Sequence, residues 1–495
     1  MSADEEQLDT EQPTAPYLDA IVGFGFRGPG RFNVPGHKGG QGADPGLRQA
    51  IGDDALMLDV PADIHGVDIG VYPSPYQRAE RLAAEAYGAK RSWFLTNGAT
   101  QGNHALCLAL APLGTRVVAQ RNSHASVVDG LVLSGGIPSF VHPEYDAERG
   151  TAHGVTPEAL AAVLAATPDA RAAFIVSPTY YGMAADVEAC ARVAHDAGVA
   201  LIVDQSWGAH FGFHPDLPPS ALHCGADAVL TSTHKLAGSL TQSAILHLGD
   251  SDRVDEARLA RAMRITRSTS PNSLLLASLD AARRQLAVHG EQLLHETLQA
   301  LPVARDKLRS IEGVGLLDDA LVGQPGIAAY DPLRVVLDVR GTGRTGLELR
   351  DRLRQSYDDH IELATQSTMV FIIGMGETEA TLLRMAGDVE EVVERMRRPG
   401  VQTQPILAPV EPPVMAVPPR EAFLGVAELV AVEDAVGRIS CESIAGYPPG
   451  IPAILPGERM TAEISRYLRE TLDSGGRLHG SSDPDFRSIH VLRES

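Results

Sequence analysis

The stretch Thr231-Ser-Thr-His-Lys-Leu-Ala-Gly238 decides the fold that we predict for this chain. It follows the apolar run Ala228-Val-Leu230, so Lys235 stands just past the end of a predicted buried strand. Lysine is rarely buried unless its charge is paired or its amine is used chemically. Burial lowers the pKa of a lysine amine and frees it as a nucleophile, for example for an imine bond to an aldehyde. Taken alone, Lys235 is better explained as a surface lysine.

Three stretches upstream of Lys235 favour a buried, chemically used lysine over a surface lysine. The first is Val199-Ala-Leu-Ile-Val203, a predicted buried parallel strand that ends at Asp204, on the sheet edge where ligands of open α/β sheets bind. The second is Asn97-Gly-Ala-Thr100, which lies between a predicted strand and a predicted helix and could hold a phosphate on backbone N–H groups. The third is Arg121-Asn-Ser-His124, which follows another strand. A phosphate site, an aromatic ring, a carboxylate and a lysine together fit pyridoxal 5'-phosphate (PLP).

Strand-like and helix-like runs alternate between residues 92 and 250, which predicts a mostly parallel sheet covered on both faces. The predicted strands are Trp93–Thr96, Thr115–Ala119, Ala172–Val176, Ala200–Val203, Ala228–Thr231 and Ala244–His247, and the predicted helices are Gln101–Ala111, Ala125–Leu133, Pro157–Ala166 and Val187–Ala197. A helical pattern from Ser273 to Ala300 leads into residues 301–398, which mix short strands with helices and predict a small α+β domain. Seven prolines between Pro399 and Pro419 predict a linker.

The composition argues against several classes of protein. A length of 495 residues favours two or three domains, and a formal net charge of −21 offers no basic surface to a nucleic acid and repels anionic membranes. No apolar run of about 18 residues occurs. The four cysteines are far apart in sequence, so we expect a reduced, cytoplasmic protein. The acidic, polar segment Met1–Pro16 predicts a disordered tail.

Beyond these patterns, the chain resembles the ornithine/lysine/arginine decarboxylase family of fold-type-I PLP enzymes, from about Val34 to about Thr461. The pieces that carry the resemblance, in the order of the family, are Val34-Pro-Gly-His-Lys-Gly-Gly40, Thr96-Asn-Gly-Ala-Thr100, Arg121-Asn-Ser-His124, Ser177-Pro-Thr-Tyr-Tyr-Gly182, Asp204-Gln-Ser-Trp-Gly-Ala-His-Phe211, Ser232-Thr-His-Lys235, Ser268-Thr-Ser-Pro271, Ala277-Ser-Leu-Asp-Ala-Ala-Arg283, Gly446-Tyr-Pro-Pro-Gly-Ile-Pro452 and Pro456-Gly-Glu458. Each piece is weak alone, whereas all of them in one order are a specific signal.

The resemblance implies an α/β fold: a fold-type-I PLP-dependent transferase-like large domain with a mainly parallel sheet, a small α+β domain and a C-terminal domain. The expected segments are a tail at 1–16, an N-terminal arm at 17–90, the PLP-binding domain at 91–300, the small domain at 301–398, the linker at 399–419 and the decarboxylase-type domain at 420–495. The implied activity is α-decarboxylation of arginine, lysine or ornithine. The implied assembly is a homodimer or a larger homo-oligomer with active sites at the subunit interface.

Three residues carry the expected catalysis. Lys235 binds the cofactor covalently, Asp204 pairs with the pyridine nitrogen and keeps it protonated, and His124 by resemblance stacks on the ring. Ala99 and Thr100 bind the phosphate through backbone N–H groups and the threonine hydroxyl. The other roles follow from the resemblance: Ser232 and His234 at the phosphate, Ser206 under the ring, Thr179 near the phenolic oxygen, Trp207 and His210 in the loop beside the cofactor and substrate, Thr269 at the phosphate of the neighbouring subunit, and His37 and Glu442 at the substrate.

Other structural explanations of these residues stay open. Asp204 could cap a turn after a strand, His234 could be a satisfied core histidine, and His37 could lie in a solvated loop. His210 and His214 have the spacing of two zinc ligands on a helix face, but a glycine and a proline interrupt any helix there.

Alternatives to the function stay open as well. The same cofactor supports transamination, aldol-type cleavage and oxidation, and a non-catalytic PLP-fold protein is a further possibility. The chain departs from the usual pattern of the family at Gln205 to Trp207, at Ala125, where a lysine is missing, and between Val60 and Gln77. The substrate is therefore left open.

Overall fold

The computed structural model describes residues 11–407, 409, 413–447 and 450–494. The chain divides into two compact units, the first formed by residues 1–105 and 203–295 and the second by residues 106–202 and 296–495. The helices are α1 (Pro16–Phe26), α2 (Pro45–Ile51), α3 (Asp53–Leu58), α4 (Pro75–Tyr87), α5 (Gly98–Leu110), α6 (Ala125–Ser134), α7 (Pro157–Ala166), α8 (Val187–Asp196), α9 (Thr233–Leu236), α10 (Glu256–Thr266), α11 (Ser273–Ser310), α12 (Gly346–Tyr357), α13 (Glu379–Met396), α14 (Pro419–Leu424) and α15 (Ala462–Asp473).

The strands are β1 (Arg91–Leu95), β2 (Arg116–Gln120), β3 (Ile137–Val141), β4 (Tyr145–Asp146), β5 (Thr151–Ala152), β6 (Ala172–Val176), β7 (Met183–Ala184), β8 (Ala200–Asp204), β9 (Ala228–Thr231), β10 (Ala244–Leu248), β11 (Gly315–Leu317), β12 (Ala329–Tyr330), β13 (Arg334–Asp338), β14 (Leu363–Ala364), β15 (Thr368–Ile372), β16 (Ala427–Ala431), β17 (Ile444–Tyr447), β18 (Ile451–Ile454), β19 (Arg477–His479) and β20 (Ser488–Leu492).

Seven strands form the central sheet, in the order β1-β10-β9-β8-β6-β2-β3. Strand β2 runs parallel to β3 and β6, whereas β10 is antiparallel to β1 and β9, so the sheet is mixed and mostly parallel. Strands β8, β9 and β10 are buried along their whole length, which explains why their sequences are almost continuously apolar. The predicted fold class is confirmed.

The N-terminal arm is anchored within the first unit from residue 11 onwards. The backbone N–H of Tyr17 donates to Asp280 at 2.8 Å, and Arg283 donates to the carbonyl oxygen of Thr14 at 2.7 Å. Asp280 and Arg283 form a fully buried ion pair, so Thr14 and the first turn of α1 satisfy charges that would otherwise be costly to bury. The predicted disordered tail therefore does not extend over residues 11–16, and residues 1–10 lie outside the described part of the chain.

Two regions of the second unit have sheets of their own. Residues 315–372 contain the antiparallel sheet β11-β13-β15-β14, with α12 packed on β14 and β15. The C-terminal region, residues 420–494, contains the pair β16-β20 and the sheet β18-β17-β19, with α15 packed against the latter. Its core includes Ile444, Leu468 and Phe486, all fully buried. The strands of this region, of three to five residues, were not predicted.

Two helices differ from the prediction. Helix α11 continues to Ser310 with Pro302 inside it, so it does not end at Ala300. Helix α10 was not predicted, although the side chain of Asp255 caps it by accepting a hydrogen bond from the N–H of Arg258 at 3.0 Å. None of the helices in the described ranges combines the length and apolar character required to cross a bilayer.

Candidate active site

Lys235 stands in a short helical turn directly after β9. Its backbone N–H donates to the carbonyl oxygen of Ser232 at 3.0 Å, which closes the first turn of α9. Its Nζ lies 3.6 Å from the centroid of the Trp207 ring, a distance at which the face of an aromatic ring attracts a cation. Because Trp207 is buried and Lys235 is half-buried, the amine lies against an apolar wall of the first unit.

Asp204 is the last residue of β8, the strand next to β9. Its Oδ2 accepts a hydrogen bond from Asn103 Nδ2 at 3.1 Å, and its Oδ1 accepts one from the N–H of Ser206 at 3.0 Å. The N–H of Gln205 donates to the carbonyl oxygen of Leu230 at 2.8 Å and so ties this strand end to β9. The carboxylate is held in a fixed orientation, three residues before the tryptophan that Lys235 contacts.

Asn103 is a residue of this site that the sequence analysis missed. It lies on α5, about one helical turn after Ala99 and Thr100, and is 1% exposed. A signal was present, because a buried amide on a largely apolar helix requires hydrogen-bond partners. Its partner Asp204 lies 101 positions along the chain, a pairing that no local pattern reveals.

The N-terminus of α5 presents the expected phosphate-binding groups. The helix begins at Gly98, whose φ of +69° suits glycine, and its first-turn N–H groups belong to Gly98, Ala99 and Thr100. His234 Nδ1 lies 2.7 Å from the carbonyl oxygen of Ser243. Since a carbonyl oxygen can only accept a hydrogen bond, Nδ1 of His234 carries the proton. Ser232, the residue before α9, is buried.

Two buried hydroxyl groups of the first unit point to a bound group. Ser206 Oγ and Thr233 Oγ1 are buried and have no hydrogen-bond partner among the described residues. Buried hydroxyls in folded proteins are normally hydrogen-bonded, so both atoms require an explanation. The same unit presents the Asp204 carboxylate, the Lys235 amine and the first turn of α5. These residues fit a PLP, which requires a lysine, a pyridinium partner and a phosphate site.

His210 and His214 pack with other rings of the first unit. His210 is fully buried, with its ring centroid 4.9 Å from that of Phe211. His214 Nε2 lies 3.4 Å from Nδ1 of His295, and the two rings are stacked. Within the described residues there is no group of three or more histidine, cysteine or acidic side chains that could hold a metal ion. The zinc alternative has no third ligand there.

His124 and Thr179 belong to the second unit. His124 is exposed and caps α6, because its Nδ1 accepts a hydrogen bond from the N–H of Ser126 at 3.2 Å. Thr179 is buried, and its Oγ1 accepts hydrogen bonds from the N–H groups of Tyr181 and Met183 at 3.3 and 3.4 Å. Their predicted contacts with the cofactor ring and its phenolic oxygen stay predictions.

Three further predicted residues are His37, Thr269 and Glu442. His37 Nε2 lies 3.0 Å from Asp59 Oδ2, and Thr269 is exposed in the segment between α10 and α11. Glu442 is engaged within the C-terminal region, where its Oε1 accepts hydrogen bonds from the N–H of His490 at 2.9 Å and from Nδ1 of the same residue at 2.7 Å. The predicted substrate contacts of His37 and Glu442 stay predictions.

Known proteins similar to this chain identify its family. The family model described as the Orn/Lys/Arg decarboxylase major domain matches residues 15–378, and that of the C-terminal domain matches residues 406–482. The chain is 36% identical to an arginine decarboxylase of Bacillus subtilis, over 98% of this chain and 99% of the relative, and 35% identical to an arginine decarboxylase of Halalkalibacterium halodurans over the same shares. The crystal structure of the Francisella novicida lysine decarboxylase LdcF has a TM-score of 0.81 at 19% identity, over 97% of this chain and 81% of that one. The predicted family is confirmed: the chain belongs to the Orn/Lys/Arg decarboxylases and is a PLP-dependent decarboxylase of a basic amino acid.

Proposed function

We propose that this protein removes the α-carboxylate of L-arginine as carbon dioxide and leaves the corresponding amine, agmatine. The relatives that support arginine are named arginine decarboxylases and are 34 to 36% identical to this chain. The lysine decarboxylases among its relatives are 23 to 24% identical. The observation that carries the proposed chemistry is the cluster of Lys235, Trp207 and the anchored Asp204 in the first unit.

In the proposed mechanism, the chain would hold the phosphate and the pyridine nitrogen of the cofactor. The first-turn N–H groups of α5 and the hydroxyl of Thr100 would bind the phosphate, and Asp204 would bind the protonated pyridine nitrogen. When bound, PLP supplies a ring that accepts the electron pair released with carbon dioxide. Asn103 and the N–H of Ser206 keep the Asp204 carboxylate oriented, so the partner of the nitrogen is in place before the substrate binds.

Lys235 acts before and after loss of the carboxylate. Its amine would hold the cofactor covalently between turnovers. After carbon dioxide has left, Nζ of Lys235 would return a proton to the α-carbon of the substrate. The Trp207 ring, whose centroid lies 3.6 Å from Nζ, would shield one side of the amine from water.

We also propose that Glu442 binds the guanidinium of arginine at the far end of the substrate. A carboxylate is the preferred partner of a guanidinium, because two parallel hydrogen bonds can form. In the structure Glu442 Oε1 accepts a hydrogen bond from the N–H of His490, and Oε2 accepts one from the N–H of Ser482 at 3.1 Å. Binding of the substrate would share or replace these bonds.

A homodimer is the proposed assembly, with Thr269 of one chain reaching the phosphate of the other. Large apolar side chains are exposed in the first unit, among them Phe32 (99%), Tyr72 (90%), Ile265 (79%) and Val34 (69%). A contiguous exposed apolar patch is typical of a surface that another chain covers, and the proposal requires these side chains to lie on one such patch. None of the four cysteines forms a disulfide bond, which supports the proposed cytoplasmic location.

The test is release of carbon dioxide from carboxyl-labelled arginine, lysine and ornithine by the purified protein loaded with PLP. We expect kcat/KM for arginine to exceed that for the other two by at least about tenfold. With α-deuterated arginine the amine should keep the deuterium, because decarboxylation does not break that bond, whereas transamination does. Faster release from lysine or ornithine would contradict the proposed substrate, and loss of the deuterium would contradict the proposed reaction.

A further inference from the structure

Two motifs of the sequence are joined by a buried ion pair inside the second unit. Arg121 belongs to the Arg121–His124 motif and Glu458 to the Pro456–Glu458 motif. Arg121 Nη2 lies 2.9 Å from Glu458 Oε2, and Arg121 Nε lies 3.2 Å from Oε1. The two side chains are 8% and 1% exposed. Two parallel bonds between a guanidinium and a carboxylate fix geometry as well as charge.

The same guanidinium also binds the backbone of the C-terminal region. Arg121 Nη1 donates to the carbonyl oxygen of Pro452 at 2.7 Å, and Nη2 donates to that of Ala453 at 3.3 Å. Glu458 Oε2 accepts a further hydrogen bond from the N–H of Leu455 at 2.8 Å. One arginine therefore contacts both strand β18 and the turn that follows it.

The backbone of Arg121 belongs to the turn that presents His124. Arg121 follows β2 directly, and its N–H donates to the carbonyl oxygen of Val141 at 2.9 Å. Three residues later His124 caps α6 through its own ring nitrogen, so the orientation of the ring depends on where this turn lies. A shift of Arg121 is transmitted to His124 through only two intervening residues.

Stability alone is a poor explanation for this pair. Burying two charges costs about as much free energy as their attraction returns, so a buried ion pair is weak evidence for stabilisation. Burial raises the pKa of Glu458 to about 7, although Arg121 acts to lower it. What the pair does supply is a unique geometry between the β2–α6 turn and the C-terminal region.

We propose that Arg121 and Glu458 are positioning residues through which the C-terminal region fixes the turn that carries His124 for cofactor binding. The inference rests on the proposed contact of His124 with the cofactor ring. Neither Arg121 nor Glu458 needs to touch the cofactor, because both act through the backbone of residues 121–124. The C-terminal region thereby contributes to PLP affinity as well as to the substrate site.

The test measures PLP affinity and the visible circular dichroism of bound PLP in the full-length protein. Glu458→Gln keeps the shape of the side chain and removes its charge. Arg121→Lys keeps the positive charge and removes the guanidinium that forms two parallel hydrogen bonds. We expect each substitution to weaken PLP binding about tenfold and to change the dichroism of the bound cofactor. The matched control is Arg459→Lys, since Arg459 forms an exposed pair with Glu494 at 3.0 Å in the same region and should leave both readouts unchanged.

A double substitution decides whether the effect passes through His124. We expect His124→Ala to weaken PLP binding by itself, and Glu458→Gln added to it to weaken binding by less than about twofold further, because both act on one contact. Additive effects would overturn the proposal, and so would wild-type PLP affinity and dichroism in Glu458→Gln and Arg121→Lys. Wild-type binding in His124→Ala would overturn it together with the role of His124. Failure to decarboxylate arginine with this binding pattern intact would refute only the proposed substrate.

Discussion

Within the described part of the chain, the Asp204 carboxylate accepts one side-chain hydrogen bond, from the amide of Asn103 at 3.1 Å. Both residues are largely buried, so removing the donor leaves one carboxylate oxygen without compensation for its lost hydration. A hydrogen bond to a charged group contributes about 1.5–3 kcal/mol. Its loss reduces binding or catalysis where the orientation of that group is important. In this site it matters for the pyridine nitrogen that Asp204 is proposed to bind.

Substitution of Asn103 by alanine tests this dependence. We expect kcat for arginine to fall by about 10- to 150-fold and PLP to dissociate more readily, because the loss of about 1.5–3 kcal/mol corresponds to that range. Gln299→Ala is the control, since Gln299 is exposed in the interior of α11. Wild-type kcat and PLP affinity in Asn103→Ala would show that Asp204 does not require this donor.

Trp207 gives a second test at the same scale. The chain has two tryptophans, Trp93 and Trp207, and Trp207 lies against the Lys235 amine. We expect PLP to quench tryptophan fluorescence on binding, and Trp207→Phe to remove most of that quenching while Trp93→Phe preserves it. Fluorescence titration of the three proteins with PLP is the measurement. Quenching that survives in Trp207→Phe would place the cofactor away from this ring.

Among the elements, strand β10 carries a histidine that links two neighbouring strands. His247 Nδ1 lies 2.8 Å from Ser92 Oγ on β1, and Nε2 lies 3.2 Å from Thr231 Oγ1 on β9. Thr231 immediately precedes the segment that leads to Lys235. Burial lowers the pKa of His247 to about 3, so the ring stays neutral at the pH of the cell.

The low pKa of His247 predicts the sign of a pH effect on stability. An unfolded histidine has a pKa of about 6.5, so between that value and about 3 the unfolded chain binds a proton that the folded chain does not. The stabilising contribution is complete above pH 6.5 and is lost as the pH falls, by at most about 1.4 kcal/mol per pH unit. His247→Gln should remove this slope, so that its melting temperature falls less between pH 7 and pH 5 than that of the wild type. Parallel curves for the two proteins would contradict the assignment.

The elements show what the sequence could predict. Strands β6, β8, β9 and β10 are buried on both faces and read as apolar runs, and the residues after them could be placed at a sheet edge. Strand β3 was missed because Pro138 and three half-buried positions interrupt its pattern, and the end of α11 was misplaced because Pro302 usually breaks a helix.

The contacts between distant elements were beyond prediction from local pattern. Asn103 meets Asp204 across 101 positions, and Arg121 meets Glu458 across 337. Periodicity and motif spacing report the neighbourhood of a residue along the chain, whereas these pairs depend on which elements become neighbours in space. The resemblance supplied candidate roles for motif residues, but not the residues that orient them.

At the scale of the whole molecule, the proposed dimer must bring together chains of like charge. Each chain has a formal net charge of −21, so association requires a contact that is apolar enough to offset the repulsion. The exposed side chains of Phe32, Tyr72 and Ile265 provide apolar surface in the first unit, which also contains Thr269. If Thr269 serves the phosphate of the other chain, then each active site needs residues from both chains.

Mixing two inactive proteins tests that arrangement. Lys235→Ala removes the cofactor lysine, and Thr269→Asp places a negative charge where a phosphate should bind, so we expect each homodimer to be inactive. In a mixed dimer one site combines both changes, while the other site has Lys235 and Thr269 intact on opposite chains. Because about half of the dimers are mixed after co-refolding at random, we expect about a quarter of wild-type activity to return. The control is a mixture of Lys235→Ala with Asp204→Ala. It should restore no activity, because Lys235 and Asp204 of one chain belong to the same active site. If the first mixture also stays inactive, Thr269 acts within its own chain or not at all, and the shared active site is refuted.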